Sequence, residues 1–162
     1  MTVGSVLSEA FMRRAIESAR RGLAAGGPPV GTCVVRDGKP IATAHNSVVS
    51  ELDVTAHAEV MAIRKACRSL GVIDLSGCHL YVTVEPCAMC MAACHYAGIS
   101  LIVFGARLSD MDAITGNELI APYAEMIAQG THATAMVGDF LRNDCLELLR
   151  EWDSPTPGVG SR

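Results

Sequence analysis

Apolar residues recur along this chain with two spacings, one typical of helices and one typical of buried strands. Near the start, Ser8 can cap a helix whose apolar positions are three or four residues apart until Gly26. Further on, short continuous apolar runs bounded by turn residues indicate buried strands. The predicted helices are 9–24, 55–70, 86–96, 118–129 and 143–152, and the predicted strands are 30–36, 40–44, 78–84, 100–104 and 133–137.

The order of these elements predicts how the sheet is built. Asp37-Gly38 separates the first two strands, and this dipeptide is a strong signal for an antiparallel hairpin. After Gly71, strands and helices alternate, which favours parallel strands joined by helical crossovers. We therefore expect a three-layer α/β/α sandwich around a five-stranded, mixed and mostly parallel sheet, with the hairpin at its antiparallel edge.

The segment from Pro86 to Ala106 has 21 residues without Asp, Glu, Lys or Arg, enough to cross a bilayer. However, it starts with two spaced cysteines and contains His95 and Gly98, and it changes from helix-forming residues to the strand-forming run 101–104. We interpret it as a buried helix followed by a buried strand and expect no membrane association.

Composition narrows the functional classes further. Half of the 162 residues are apolar and 19% are charged, which predicts one folded domain over 1–153 and a flexible tail over 154–162. The amino terminus does not resemble a secretion signal, so a reducing cytoplasm is expected, where the seven cysteines serve as core residues, metal ligands or nucleophiles. The net charge of -4 argues against a nucleic-acid partner.

Two short motifs carry the candidate chemistry. His57-Ala58-Glu59 begins one predicted helix, and Pro86-Cys87-Ala88-Met89-Cys90 begins the next. Cysteines three apart share a helix face, so Cys87 and Cys90 can bind one ion together with His57. A zinc ion suits two thiolates and an imidazole, and helix amino termini favour the thiolate form.

Three protein ligands leave one coordination position for water, as in catalytic zinc sites. Glu59 lies about 200° around the helix from His57 in ideal geometry, so it is poorly placed as another ligand. It is better placed to carry a proton between the water and a substrate. The sequence therefore predicts a hydrolytic zinc site with Glu59 as the catalytic acid and base.

These motifs resemble the signature of zinc-dependent base deaminases, H-x-E followed by P-C-x-x-C. The resemblance is to the cytidine deaminase superfamily and covers about two thirds of the chain. It extends over 27–31, Asn46, 55–60, 80–90 and 103–107. Within the superfamily, the sequence is most similar to the branch of bacterial guanine deaminases, fungal-type cytosine deaminases and bacterial tRNA adenosine deaminases, which implies a five-stranded fold, one zinc ion per subunit and a dimer.

The resemblance also implies roles for residues around the zinc site. It implies that Asn46 hydrogen-bonds the substrate ring and that the Ala58 N–H and the Glu85 carbonyl border the reacting group. The segment 112–118 is similar in position to a guanine deaminase loop that ends in a second catalytic acid, which makes Glu118 a candidate, although Gly116-Asn117 replaces the usual aromatic-acidic pair. Trp152 and Asp153 occupy the region where free-base deaminases close the pocket.

Each of these residues also has a plainer interpretation. Cys87 and Cys90 alone could be a redox pair, and Asn46 could cap a turn. Glu118 could stabilise a helix start. Trp152 could be a core residue.

Other residues are expected to be structural. Cys33, Cys67, Cys78, Cys94 and Cys145 fit a core role, and His95 could line the pocket. Four arginines, at positions 13, 14, 20 and 21, form a stripe that could contact RNA but fits a solvated helix face.

The favoured hypothesis is zinc-dependent hydrolytic deamination of an amino-substituted free base, resembling guanine, cytosine or a triazine, with release of ammonia. The first alternative is a tRNA-specific adenosine deaminase, and the second is a non-catalytic, zinc-stabilised binding module. The low charge of 86–106 also predicts a buried face between two subunits of a homodimer.

Overall fold

A computed structural model describes residues 7–121 and 123–153. Within these residues the chain forms seven helices and one sheet of five strands. The helices are α1 Glu9–Ala24, α2 Val48–Glu51, α3 Ala58–Leu70, α4 Ala88–Ala97, α5 Leu108–Thr115, α6 Tyr123–Ala128 and α7 Arg142–Asp153. The strands are β1 Gly31–Arg36, β2 Lys39–His45, β3 Cys78–Val84, β4 Leu101–Ala106 and β5 Ala135–Val137. The tail predicted over 154–162 lies outside the described residues.

The strand order is β2-β1-β3-β4-β5, and the sheet is mixed, as predicted. β1 pairs antiparallel with both β2 and β3, whereas β3–β4 and β4–β5 are parallel. Two of the four strand pairings are therefore antiparallel and two are parallel, because the reversed strand β1 has an antiparallel neighbour on each side. Four strands nevertheless point the same way, and their carboxyl ends share one edge of the sheet.

Helices cover both faces of the sheet and complete the predicted three-layer architecture. α1 packs on β1, β2 and β3, and α7 packs on β4, α5 and α1. α3 packs on β1, β2 and β3 and also contacts α4, which contacts α6. Tyr81, Leu80, Val82, Ile102 and Val103 on the two central strands are fully buried, so the core follows β3 and β4.

One close approach fixes how α1 lies on the sheet. A Cβ atom on Gly31 would lie 2.1 Å from the Ala15 carbonyl oxygen and 2.4 Å from the Ala19 nitrogen. Such distances are far shorter than any van der Waals contact, so only glycine permits α1 to pack at this depth. Gly31 also pairs with His45, so the beginning of β1 lies beside the carboxyl end of β2.

Several element boundaries differ from those predicted. α3 and α4 begin at Ala58 and Ala88, so His57 and Cys87 precede the first turn as helix caps. The predicted helix 118–129 is wrong at its start, because Glu118 lies in a loop and α6 begins at Tyr123. α2 and α5 were not predicted. α5 has a signal in its sequence, since the Asp110 carboxylate accepts the N–H of the N-cap residue Arg107 and Gly116 ends the helix with φ of 65°.

The hairpin turn and the uncharged segment agree with their predictions. Asp37 and Gly38 both have positive φ, 51° and 70°, as the two central residues of a type I′ turn require. The uncharged segment contains α4 and then β4. In the described part of the chain, no helix combines the length and apolar character needed to span a membrane.

Candidate metal and catalytic site

Two helix amino termini meet at the edge where the parallel strands end. α4 follows β3 after three residues, and Cys87 is its N-cap. His57 is the N-cap of α3, whose first turn is tied to β1 by the Thr32 hydroxyl, which donates to the Ala58 carbonyl at 3.0 Å. This arrangement brings one imidazole and two thiols together.

The ligand atoms of His57, Cys87 and Cys90 all lie within 4.8 Å of one another. His57 Nδ1 is 3.7 Å from Cys87 Sγ and 3.5 Å from Cys90 Sγ. A tetrahedral zinc ion with Zn–N near 2.1 Å and Zn–S near 2.3 Å separates its nitrogen and sulfur ligands by about 3.6 Å. The donor types and both distances therefore fit a zinc ion bound through Nδ1.

The two thiols differ in acidity because they are neighbours. A hydrogen bond from Cys90 and the nearby His57 lower the pKa of Cys87 to about 4 despite partial burial. The proximity of Cys87, together with burial and the Glu59 carboxylate, raises the pKa of Cys90. The negative charge of one thiolate thus disfavours ionisation of the other thiol. A divalent cation between them compensates for this repulsion.

Glu59 occupies the second position of α3, and only 3% of its surface is exposed. No described residue donates a hydrogen bond to its buried Oε2. Burial raises the pKa of Glu59 to about 7, against the opposing influence of its own backbone N–H and of His57. A buried carboxyl that titrates near neutrality and keeps an oxygen unpaired is suited to proton transfer.

Asn46 follows β2 directly and is 8% exposed. Its Oδ1 accepts the Val48 N–H at 3.1 Å, so the turn-capping interpretation describes part of what this residue does. The bond also fixes the amide orientation. Ala58 is fully buried and begins α3, where backbone N–H groups have no acceptor within the helix.

Glu85 connects the cysteine helix to α5, a contact that the sequence did not predict. Its backbone N–H donates to Ala106, and its carboxylate Oε2 accepts the Leu108 N–H at 3.0 Å. The side chain therefore satisfies a free donor at the start of α5. The carbonyl role implied by the family resemblance stays a prediction.

Glu118 lies in the loop after α5 and is half-buried. The Thr115 hydroxyl donates to its Oε1 at 2.9 Å, and its own N–H donates to Asp112 Oδ1 at 3.0 Å. The Glu118 carboxylate also contributes to raising the pKa of His57, after the larger effect of Cys87. Its charge therefore reaches the metal cluster.

Trp152 and Asp153 are at the end of α7. Trp152 is half-buried and packs against the core, and Asp153 is exposed. The preceding residue, Glu151, accepts two hydrogen bonds from Arg20 on α1. These contacts locate α7 on the α1 face, away from α3 and α4, and the pocket role of Trp152 and Asp153 stays a prediction.

The remaining cysteines are mostly core residues, as expected. Cys33, Cys78, Cys94 and Cys145 are fully buried, whereas Cys67 is half-buried. Burial raises the pKa of Cys33 to about 11 and that of Cys145 to about 12, so both thiols are protonated near neutral pH.

His95 lines a cavity of about 200 Å³ between α4 and α6. Its ring lies 5.5 Å from that of His132. Neither residue belongs to the metal cluster.

Fold and site together define a class of protein. A three-layer α/β/α domain holds one imidazole and two thiols, suited to a zinc ion, beside a buried carboxyl group. The chain belongs to the family described as the cytidine and deoxycytidylate deaminase zinc-binding region, which matches residues 6–106. The resemblance recognised in the sequence is confirmed.

Its relatives include deaminases with two kinds of substrate. A tRNA-specific adenosine deaminase of Aquifex aeolicus (strain VF5) is 46% identical over 98 residues, 60% of this chain and 65% of that protein. A guanine deaminase of Bacillus subtilis (strain 168) is 45% identical over 103 residues, 63% of this chain and 66% of that protein. This chain therefore spans just under two thirds of the length of both relatives.

The structural comparison extends further along the chain. A solved structure of a guanine deaminase from Nitrosomonas europaea superposes with a TM-score of 0.82 at 30% identity. It covers 92% of this chain and 86% of that one. The five-stranded mixed sheet and its helices are thus the architecture of the family.

Proposed function

We propose that this protein is a zinc-dependent hydrolytic deaminase of an amino-substituted free nucleobase or a close analogue. The observation that carries this proposal is the buried, unpartnered oxygen of Glu59 beside His57, Cys87 and Cys90. A purely structural metal site has no need for such a carboxyl group, which is unfavourable to bury. The guanine deaminase relative supports the substrate class.

His57, Cys87 and Cys90 would hold the zinc ion. When bound, zinc supplies Lewis-acid activation that makes water a nucleophile at neutral pH. Glu59 would carry one proton from the attacking water to a ring nitrogen of the substrate and a second from the newly added hydroxyl group to the amine, which leaves as ammonia. Burial raises the pKa of the Glu59 carboxyl group, which helps it to hold a proton between the two transfers.

The neighbouring groups orient the ring. Because Asn46 Oδ1 accepts the Val48 N–H, its side-chain NH₂ is the group that remains for an acceptor on the substrate. The Ala58 N–H and the Glu85 carbonyl border the reacting group in this proposal, and Glu118 accepts a ring N–H.

A tRNA-specific adenosine deaminase is the second candidate, because relatives with that activity match the same region. Charge favours the free base. The chain carries -4 overall, and Arg13, Arg20 and Arg21 on α1 each pair with a glutamate. An RNA-binding surface needs basic groups free to neutralise phosphates.

The test measures ammonia release from guanine, cytosine, melamine and their available nucleosides, and inosine formation in a tRNA anticodon hairpin. We expect one free base to react far faster than any nucleoside or the hairpin. A missing hydrogen-bond partner in a buried pocket costs ~1 to 3 kcal/mol, about ten- to a hundred-fold in specificity. Rapid inosine formation without ammonia from any free base would favour the second candidate.

We also propose that the protein is a homodimer. Tyr96 and Met89 on α4 are 85% and 36% exposed, and Met126 on α6 is 45% exposed. Large apolar side chains beside one another on a surface favour association. Sedimentation at micromolar concentration should show a dimer, and a monomer alone would contradict this proposal.

A further inference from the structure

The imidazole of His45 contacts the backbone of the residue that follows it. His45 is the last residue of β2, and its Nδ1 lies 3.1 Å from the carbonyl oxygen of Asn46. A carbonyl oxygen only accepts hydrogen bonds, so Nδ1 carries the proton in this contact. The Asn46 N–H donates to the Val30 carbonyl at 2.9 Å, and Oδ1 accepts the Val48 N–H at 3.1 Å. In the described part of the chain, these bonds involve every polar group of Asn46 except its side-chain NH₂.

The peptide unit between Asn46 and Ser47 joins this contact to the metal cluster. Its oxygen accepts from the His45 imidazole, and its N–H, which belongs to Ser47, donates to the Ala56 carbonyl at 2.9 Å. Ala56 is fully buried and directly precedes the proposed metal ligand His57. The peptide unit is therefore held on one side by β2 and on the other by the segment that leads into α3.

Two glycines confine this pair of residues from the side of α1. A Cβ atom on Gly22 would lie 2.9 Å from Cβ, Cγ and Nδ1 of His45, closer than a van der Waals contact allows. A Cβ atom on Gly27, in the turn after α1, would lie 3.2 Å from the Asn46 carbonyl oxygen. The cavity beside the ring measures about 10 Å³, enough for about one water molecule. The ring therefore has little room to leave the carbonyl group.

We propose that His45 is a positioning residue, whose Nδ1–H fixes the Asn46–Ser47 peptide and so holds the Asn46 side-chain NH₂ toward an acceptor on the substrate ring. This inference rests on the proposed function. It concerns binding of the ring, since Glu59 is the proposed proton carrier. Loss of the imidazole should therefore affect KM more than kcat.

The first experiment compares kcat and KM of two His45 variants with those of the wild type. The substrate is whichever of guanine, cytosine and melamine the wild type deaminates fastest. His45→Phe keeps a ring without the donor and should lower kcat/KM by about ten-fold, mostly through KM. His45→Asn places an N–H near the position of Nδ1 and should restore kcat/KM to within about three-fold of the wild type. An unchanged kcat/KM in His45→Phe would overturn the proposal.

A matched control is available in the same sheet. His79 is also a half-buried histidine, but it lies near the start of β3, at the edge opposite the metal cluster. His79→Phe should keep kcat/KM within about two-fold of the wild type. An equal loss in both phenylalanine variants would mean that the histidines support the fold in general, and this would contradict a specific role of His45.

A double-mutant cycle separates positioning from loop stability. In an Asn46→Ala background, His45→Phe should lower kcat/KM by no more than about two-fold, because the side chain that it positions is absent. Full additivity would overturn the proposal. Gly22→Ala reaches the same contact from α1: alanine favours a helix interior, yet its Cβ displaces the imidazole, so KM should rise. An unchanged KM in Gly22→Ala would count against the proposal.

Hydrogen exchange provides a measurement that needs no substrate. His45→Phe should speed exchange of the Ser47 amide by about three-fold or more, since the oxygen of the same peptide unit loses its partner. His79→Phe should leave that exchange unchanged. If exchange of the Ser47 amide is the same in His45→Phe and the wild type, the imidazole does not hold this peptide and the proposal fails. If the wild type releases no ammonia from any free base while exchange responds as expected, the proposed function fails and the role of His45 in holding the peptide stands.

Discussion

The two faces of the sheet differ in the exposure and the pairing of their charged groups. On the α1 and α7 face, Arg20 and Glu151 pair at 2.7 Å while remaining 47% and 39% exposed. On the α3 and α4 face, Glu59 is 3% exposed and one of its oxygens has no described donor. Exposed pairs contribute little to stability, whereas a buried, unpaired carboxyl is costly. The difference indicates which face performs chemistry.

Removing a proposed metal ligand is the strongest test of this difference between the two faces. Cys87→Ala should lose nearly all zinc and all measurable turnover, because two ligands do not retain the ion at a site built for three. Metal analysis of the purified protein measures the loss. Cys94→Ala, on the same helix and fully buried, is the control and should keep its zinc. A normal zinc content in Cys87→Ala would refute the ligand set.

The next substitution tests the carboxyl group alone. Glu59→Gln should keep the fold and the zinc but lose about 10²- to 10⁴-fold in kcat, since an amide has nearly the same shape and cannot carry the proton. Steady-state ammonia release measures it, with Glu51→Gln on the exposed helix α2 as control. Comparable activity in Glu59→Gln would point to another base, whereas a wild type that binds zinc but releases no ammonia from any substrate would favour the alternative of a non-catalytic zinc-binding module.

A smaller effect is expected at Asp110, whose exposure lies between that of Glu59 and that of the Arg20–Glu151 pair. Burial works against ionisation, but bonds from Arg142 and the Arg107 N–H lower the pKa of Asp110 below 3.8. An acid with a lowered pKa stabilises the fold above its unfolded pKa, and this stabilisation is lost as the pH falls through the folded value. Asp110→Asn should therefore reduce the free energy of unfolding by about 1 kcal/mol at pH 7.

Denaturant unfolding at several pH values measures this difference between Asp110→Asn and the wild type. The difference should shrink below about pH 4. Glu147→Gln, exposed on α7, should show no such trend. A difference independent of pH would mean that packing, not charge, connects α5 to α7.

The smallest effect is expected on the α1 face. Arg20→Gln should change the free energy of unfolding by less than about 1 kcal/mol, because both partners of the pair are solvated. Ammonia release should stay within about two-fold of the wild type. A large loss of activity toward a tRNA hairpin, but not toward a free base, would show that α1 contacts RNA and would remove the contrast between the faces.

The sequence predicted those parts of the fold that depend on local patterns. α1 has the predicted bounds, and β3 also matches at both ends. Both elements combine a regular apolar spacing with clear end signals, a serine cap for α1 and valine-rich continuity for β3. The metal-binding motif could be predicted equally well, because Cys87 and Cys90 are only three residues apart in the sequence.

Other features depended on contacts between distant segments. The antiparallel pairing of β1 with β3 joins residues about 50 positions apart, and the hydrophobic pattern of a buried strand does not specify its neighbours. α5 was missed although Asp110 and Gly116 signal its ends, because its short apolar pattern resembles a loop. The bond from Leu108 to Glu85 exists only once β3 and β4 lie side by side.

The sequence by itself thus determined five of the seven described helices, the five strands, the zinc-binding residue types and Glu59 as a candidate acid and base. Only the tertiary structure decided that His57 Nδ1 faces both sulfurs at 3.5 and 3.7 Å and that Glu59 is buried without a partner for Oε2. It also placed Glu118 in a loop with its charge near His57. The physical reason is that residue spacing constrains local geometry, whereas burial and the distance between charges depend on how separate segments pack.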